Sequence, residues 1–335
     1  MGESRLLFGE TIQNLAKYLP DSRIAIITDE KVHSLYGIYF PADALPIIIG
    51  KGESNKTMQT LEYIFDRLIE NDFDRSCFIL GIGGGIVCDI TGFAASVYLR
   101  GVKFAFVSST LLAQVDASIG GKNGVNFRGY KNMIGTFNQP QFVLLDFTML
   151  KTLDNDEYIA GYAEIIKHAA IRNKNMFEYL EKNVDKALAY DTEVIHRMVY
   201  DSLLIKSEVV QQDEKEETGL RRILNFGHTV GHAIEKITGI IHGQAVSIGM
   251  VAAARLSVRK GLLSEEEADR LTTLIRAFRL PVKSSVDIQQ IVQVMKKDKK
   301  RDKDTINFVL LDGIGKTKIK SIHINQLEEM LHDLC

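Results

Sequence analysis

Ile79-Leu80-Gly81-Ile82-Gly83-Gly84-Gly85 carries an apolar run into a cluster of glycines, and an apolar helical pattern opens directly behind it. A strand, a turn with little side chain and a helix start, in that order, form the joint of an α/β layer. Glycines there let a backbone approach a ligand closely, and the free N–H groups of the helix start favour a pyrophosphate. The spacing is G-x-G-G-G, not the G-x-G-x-x-G dinucleotide fingerprint. Taken alone, the pattern fits a phosphate site and a tight structural turn equally. Asp89, four residues past Gly85, is expected on the first turn of the helix, where negative charge is favourable.

The surrounding segments repeat this alternation. Residues 23–28, 46–49, 77–81 and 104–107 are short apolar runs that predict strands. Residues 54–70 place Met58, Leu61, Ile64, Phe65 and Leu68 at helical spacing. Strands alternating with helices predict a parallel sheet with right-handed crossovers. After about Leu150 the texture changes. Residues 154–173, 175–188, 192–217, 228–238, 243–261 and 264–278 all predict helices, and only residues 306–311 read as a late strand. The expectation is an α/β N-terminal domain over residues 1–150 and a mostly α-helical C-terminal domain over residues 151–335, with the boundary near Asp146 to Asp154.

Composition bounds the function classes. The 335 residues, 45% hydrophobic and 25% charged, suffice for one large domain or two, and exclude disordered, collagenous and low-complexity chains. A net charge of −2 gives no electrostatic footprint for nucleic acid or membrane. No run approaches the ~18 apolar residues of a membrane span. MGESRLLFGE lacks a basic region leading into an apolar run, so no signal peptide is expected. Cys77, Cys88 and Cys335 show no CxxC spacing, which suits reduced thiols and a cytoplasmic protein.

Three of the eight histidines fall within fifteen residues, in HTVGHAIEKITGIIH. His228 and His232 are four apart and share a helix face, and His242 follows a glycine-punctuated loop. HTVGH is not HExxH, because no glutamate follows the first histidine. A lone i, i+4 pair is often structural; the third histidine favours a metal or catalytic site. Glu164 and Lys167 lie in AGYAEIIKHAA, an otherwise small and apolar helical run. Charges there are costly unless paired or coordinated, so Glu164 is either a partner for the histidines or half of a Glu–Lys helix pair. Lys122 and Lys131 read as residues of glycine-rich loops, able to meet an anion or simply solvated. The runs at residues 213–217 and 296–303 read as solvated charge.

Together these stretches resemble the 3-dehydroquinate synthase family, from about Ile24 to Lys318. The motifs are GGGxxxDxxGFxAxxxxRG from Gly83, TLLAQVDASIGGKxGVN from Thr110, KNMIGTFxQP from Lys131, AGxAEIIKHA from Ala160 and LNFGHTVGHAIE from Leu224. The resemblance implies an NAD-binding α/β domain with a parallel sheet, a helical metal- and substrate-binding domain, and an active site between them. It places NAD against Asp29, Glu53, Lys56, Gly84, Gly85, Asp89, Ser109, Thr110, Lys122, Lys131 and Thr152, with Asp116 on the nicotinamide amide. A divalent metal, zinc or cobalt, falls on Glu164, His228 and His242. Substrate phosphate and carboxylate fall on Lys122, Asn132, Lys167, Lys206, Arg221, Asn225, His232 and Lys299, and Arg100 reaches the neighbouring subunit of a homodimer.

The implied reaction converts 3-deoxy-D-arabino-heptulosonate 7-phosphate into 3-dehydroquinate and phosphate by transient oxidation, phosphate elimination, reduction and intramolecular aldol closure. The implied partner is a small phosphorylated sugar acid, with no nucleic acid and no membrane. The chain departs from the family pattern at Gln244, where Glu is usual, at Ser109 for Thr, and at Asp154 for Pro, and its opening strand before Leu7 is short. With His242 intact, Gln244 is expected to change the surroundings of the metal rather than lose it. Cyclases that make deoxy-inosose or valiolone rings, iron-type polyol dehydrogenases and a non-catalytic NAD-binding descendant are the rivals. Arg221 and Asn225 with the GGKNGVN loop favour dehydroquinate synthase over the other cyclases. LNFGHTVGHAIE and the lysines argue against a dehydrogenase. The full set of catalytic groups argues against a non-catalytic descendant.

Overall fold

The computed structural model describes residues 4–296 and 304–328; Lys299 and Cys335 lie outside them. The chain divides into two compact units, Met1–Asp154 and Asn155–Cys335. No helix among the described residues is long and apolar enough to cross a membrane.

Unit 1 is built on β1 (Arg5–Phe8), β2 (Ile24–Asp29), α1 (Glu30–Tyr36), β3 (Leu45–Ile49), α2 (Met58–Glu70), β4 (Phe78–Gly83), α3 (Gly85–Val97), β5 (Lys103–Ser108), β6 (Lys122–Phe127), β7 (Tyr130–Phe137) and β8 (Phe142–Leu145). Six strands form one parallel sheet in the order β1-β8-β5-β4-β2-β3. Strands such as β4 and β8 are buried along their whole length, as a parallel sheet covered on both faces requires. Ile26, Leu80, Ile82, Ala105, Val107 and Leu144 belong to one buried cluster. The short opening strand pairs over all four of its residues with β8.

The stretch read as glycine-rich loops is instead an antiparallel hairpin, so Lys122 and Lys131 stand on β6 and β7. Gly124 lies opposite Gly135, and a Cβ on Gly135 would meet the Asn123 carbonyl at 2.2 Å. The pairing needs residues of low strand propensity, which hid it from the sequence pattern.

Unit 2 contains α4 (Asn155–Arg172), α5 (Lys174–Leu188), α6 (Thr192–Gln212), α7 (His228–Thr238), α8 (His242–Arg259), α9 (Glu265–Ala277), α10 (Ile288–Lys296), β9 (Thr305–Leu311) and β10 (Thr317–His323). The strands β9 and β10 pair antiparallel, so the late strand has a partner that the sequence reading missed, as it missed α10. Helices α7, α8 and α10 enclose a core with β9 and β10 that includes Val230, Ile234, Ile248, Leu256, Ile291, Phe308 and Ile322.

Helix α6 ends at Gln212 rather than 217, because Asp213 leaves the helix to cap the following turn. Its carboxylate accepts from the Thr218 and Arg221 backbone N–H groups at 2.9 and 3.0 Å. Asp213 is therefore buried and not part of a solvated run. Burial alone would raise its carboxyl, but the Arg221 and Thr218 backbone donors prevail and hold it at about 2. The folded carboxylate binds fewer protons than its unfolded counterpart near 3.9, so its stabilisation is present above about pH 4 and lost as pH falls toward 2. Acid unfolding followed by circular dichroism should therefore show a shallower limb in this window for Asp213→Asn than for the wild type. Equal slopes would contradict the assignment.

Candidate functional site

In unit 1 the chain steps from β2 outward to β3, then crosses back to β4 on the other side of β2. The sheet's strand order reverses between β2 and β4, and ligands of such sheets bind at the carboxyl ends of the strands flanking the reversal. Asp29 ends β2, and Gly83, Gly84 and Gly85 lead from β4 into α3. Gly84 caps α3 without a side-chain bond, at φ −78°, so these glycines serve space rather than a left-handed backbone. A Cβ on Gly85 would stand 2.9 Å from the Ala117 Cβ, and one on Gly84 3.0 Å from the Thr110 Cγ2. Ser109 N–H donates to the Gly83 carbonyl at 2.9 Å, which holds the neighbouring strand end against the turn. A bare helix start beside an acidic strand end suits the pyrophosphate and ribose of a dinucleotide.

Five of the expected residues form one polar group beside this turn, held by hydrogen bonds and an ion pair. Lys56 Nζ, almost wholly buried, donates to the Asp89 carboxylate and to Asn132 Oδ1 at 2.6 Å. Glu53 Oε1 accepts from Asn126 at 2.8 Å and faces Lys131 Nζ at 3.6 Å. Asn132, expected at the substrate, is thus tied to Lys56, expected at the nucleotide. Asp89 lies beyond the first turn of α3, contrary to the sequence expectation. Burial pushes its carboxyl above the usual range, and the Lys56 ammonium pulls against that shift. Asp29 caps α1 through the Val32 N–H at 3.0 Å, and Thr152 Oγ1 is 2.5 Å from the Tyr36 hydroxyl. Asp116 lies in a π-helical turn, Ala113–Ala117, and Lys122 Nζ sits 5.9 Å from the Phe137 ring. Arg100 is exposed at the end of the 3-10 turn Tyr98–Arg100 that follows α3, with a left-handed φ of 67°. Asp154 pairs with Lys31 and Lys51 at 2.7 and 3.3 Å.

Unit 2 brings the histidines and Glu164 together. His228 and His242 begin α7 and α8, and Glu164 projects from the middle of α4. The Nε2 atoms of His228 and His242 stand 3.6 and 3.9 Å from Glu164 Oε1. Donor atoms of one zinc site, each about 2.0–2.2 Å from the ion, stand roughly 3.3 Å apart, so this spacing is close to that of a ligand set. Lys167 holds the other carboxylate oxygen, Oε2, one turn along α4. Both readings of Glu164, helix pair and histidine partner, therefore apply, one to each oxygen.

The protonation pattern shows what the group lacks. His228 Nδ1 is 3.1 Å from the Phe226 carbonyl, and His242 Nδ1 is 3.1 Å from Glu235 Oε2. A carbonyl and a carboxylate only accept, so both Nδ1 atoms carry a proton, and a neutral ring then presents its lone pair at Nε2. Burial holds His228 well below its usual value, and the Lys167 ammonium adds to this, so it stays neutral. Glu164 is fully buried and its Oε1 has no hydrogen-bond partner. The buried Glu164 Oε1, with two imidazole Nε2 atoms converging on it, fits a cation. His232, with its ring 5.1 and 5.8 Å from those of His228 and His242, completes an alternative set of three histidines whose donor atoms lie within 4.8 Å of one another.

Arg221 and Asn225 stand on the 3-10 turn Leu220–Asn225, which packs against α6, the helix that carries buried Lys206. The Arg221 guanidinium donates to the Glu214 carbonyl at 2.6 Å. Sequence reasoning missed Glu235. Its place in the sequence, three residues after His232 and seven after His228, puts it on the histidine face of α7 and could have revealed it. With Gln at 244, the carboxylate behind His242 comes from Glu235.

Residues 46–160 match the family described as 3-dehydroquinate synthase N-terminal, and residues 161–301 match 3-dehydroquinate synthase C-terminal. The chain is 40% identical to the 3-dehydroquinate synthase of Geobacter metallireducens over 325 residues, covering 93% of this chain and 89% of that protein. It is also 40% identical to that of Thermodesulfovibrio yellowstonii over 334 residues, covering 96% and 93%. Among solved structures it is similar to 2-epi-5-epi-valiolone synthase from Streptomyces hygroscopicus with NAD+ and Zn2+ bound, at 28% identity and a TM-score of 0.90, covering 99% of this chain and 96% of that one. A 2-deoxy-scyllo-inosose synthase complexed with carbaglucose-6-phosphate, NAD+ and Co2+ matches at 27% and 0.88, covering 98% and 96%.

Proposed function

The chain belongs to the 3-dehydroquinate synthase family, and from that premise we propose how its own residues divide the work. The enzyme is a phosphate-eliminating carbon–oxygen lyase of the shikimate pathway, which feeds aromatic amino-acid biosynthesis. It converts 3-deoxy-D-arabino-heptulosonate 7-phosphate into 3-dehydroquinate and phosphate. When bound, NAD supplies a reversible hydride acceptor and a zinc or cobalt ion polarises the oxygen being oxidised.

Residues 1–150 are the NAD-binding domain and residues 151–335 the metal- and substrate-binding domain in this reading. Gly84, Gly85 and the start of α3 take the pyrophosphate, and Asp29 takes ribose hydroxyls. Glu53, Lys56, Asp89, Lys131, Ser109, Thr110 and Thr152 frame the nucleotide, and Asp116 orients the nicotinamide amide. Glu164, His228 and His242 hold the metal, supported by the convergence of both Nε2 atoms on the buried Glu164 Oε1, which has no hydrogen-bond partner; this observation carries the proposal. Lys122, Asn132, Lys167, Lys206, Arg221, Asn225 and His232 clamp the substrate's phosphate and carboxylate, with Lys299 as a further cation. These clamps hold the sugar acid with its reacting carbons aligned, which is the protein's main contribution to a reaction run by cofactor chemistry. We extend the reading to a homodimer, in which exposed Arg100 reaches the partner's site, and to a cytoplasmic location, with which the free, buried Cys77 and Cys88 agree.

Lys206→Ala should keep the metal and lose turnover by on the order of 10²-fold, the cost of removing one preorganised charged group. Zinc content and phosphate release measured on the same preparation check both halves. The function is tested by phosphate release from a panel of sugar phosphates. Release from the heptulosonate phosphate and not from carboxylate-free hexose or heptulose phosphates is expected. Preference for a carboxylate-free substrate would instead place the chain with the valiolone and inosose cyclases.

A further inference from the structure

Glu235 is nearly buried at the end of α7, and its Oε2 accepts the Nδ1 proton of His242 across the α7–α8 junction. His228 needs no such partner, because the backbone carbonyl of Phe226 fixes its ring and only 11% of its side chain is exposed. His242 is different. It is the first residue of α8, and 28% of its side chain is exposed. An imidazole can carry its single proton on either nitrogen.

We propose that Glu235 is a positioning residue that locks His242 as the Nδ1–H tautomer and turns its Nε2 lone pair toward Glu164 Oε1. The inference rests on the metal reading above and adds a residue to it. An ionised carboxylate on Nδ1 excludes the tautomer that would place a proton on Nε2, where a metal must bind. It also raises the basicity of Nε2. Because Glu235 shares α7 with His228, one helix sets the orientation of both histidine ligands, directly for His228 and through a hydrogen bond for His242.

The test uses the full chain, with zinc as the probe. Zinc affinity is measured by competition with a chromophoric chelator for the wild type, Glu235→Gln and Glu235→Ala. Nitrogen-15 shifts of the His242 imidazole are recorded in metal-free protein. Glu235→Ala should bind zinc about 10–100-fold more weakly and show a mixture of His242 tautomers. Glu235→Gln, whose amide oxygen still accepts a proton, should keep the Nδ1–H tautomer and lose less affinity. Wild-type zinc affinity in Glu235→Ala, with unchanged His242 shifts, would overturn the role of Glu235 while leaving the metal site standing. Failure of the wild type to bind zinc would overturn the metal reading, and with it the purpose assigned to the hydrogen bond.

Discussion

Replacing His228 with alanine is expected to abolish phosphate release and to weaken zinc binding by about 10²- to 10³-fold. Four-ligand zinc sites are worth ~10–16 kcal/mol, or about 2.5–4 kcal/mol per ligand, and this site has only three protein ligands to begin with. The loss has two parts. The Nε2 atom 3.6 Å from Glu164 Oε1 disappears, and the ring that fills the start of α7 leaves with it. Glu164, fully buried and held only at Oε2 by Lys167, then keeps an uncompensated oxygen. His232→Ala is the instructive contrast. If Glu164, His228 and His242 hold the ion, this variant keeps zinc and loses turnover. If the three histidines hold it, the variant loses zinc as His228→Ala does. Zinc content of the two purified variants, read beside their phosphate release, separates the sets.

Much of this site could be read from residue types and spacing. His228 and His232 share a helix face by their spacing, and His242 follows within one short loop. Glu164 and Lys167 stood out as charges in a helix of small apolar residues. What spacing could not give was the division of the Glu164 carboxylate, one oxygen to Lys167 and one toward the histidines. That depends on how α4, α7 and α8 pack, as does the hydrogen bond from His242 to Glu235.

Gly243→Ala should lower stability by about 1–3 kcal/mol, the usual cost of overpacking, and carry the metal site with it. Gly243 is the second residue of α8, and a Cβ there would stand 2.1 Å from the Ala160 carbonyl oxygen and 2.9 Å from the Ala160 Cα. These are backbone atoms of α4, four residues before Glu164, so no side-chain rotation relieves the clash. Helix α8 must withdraw from α4 by about an ångström, and His242, next in the chain, withdraws with it. Misplacement of a reacting group by about 1 Å can cost 10²-fold, so turnover should fall by that order together with zinc affinity. Thermal unfolding, chelator competition and phosphate release on one preparation check the three effects. Unchanged stability and affinity would mean that the α4–α8 spacing is not set by this glycine.

The same logic explains which parts of the fold were visible beforehand. Buried parallel strands such as β2, β4 and β5 announce themselves as apolar runs, and the helices of unit 2 by their three-and-four spacing. The β6–β7 hairpin did not, because Gly124 and Gly135 face each other where side chains would clash, and lysines and asparagines break the alternation. Strand β10, TKIKSIH, puts Lys318 and Lys320 on an exposed face, so it lacks the apolar run that marks a buried strand. The end of α6 was misplaced because Asp213 resembles its acidic neighbours in sequence, while its carboxylate turns inward to the Thr218 and Arg221 N–H groups.

The most direct test of the central claim is the ratio of phosphate released to NAD supplied, with NADH absorbance followed in the same cuvette. With the heptulosonate phosphate and NAD at a small fraction of the substrate concentration, phosphate should exceed the nicotinamide many times over. No NADH should accumulate, and a chelator should stop the release. NADH rising in step with product, or release indifferent to the chelator, would contradict the account.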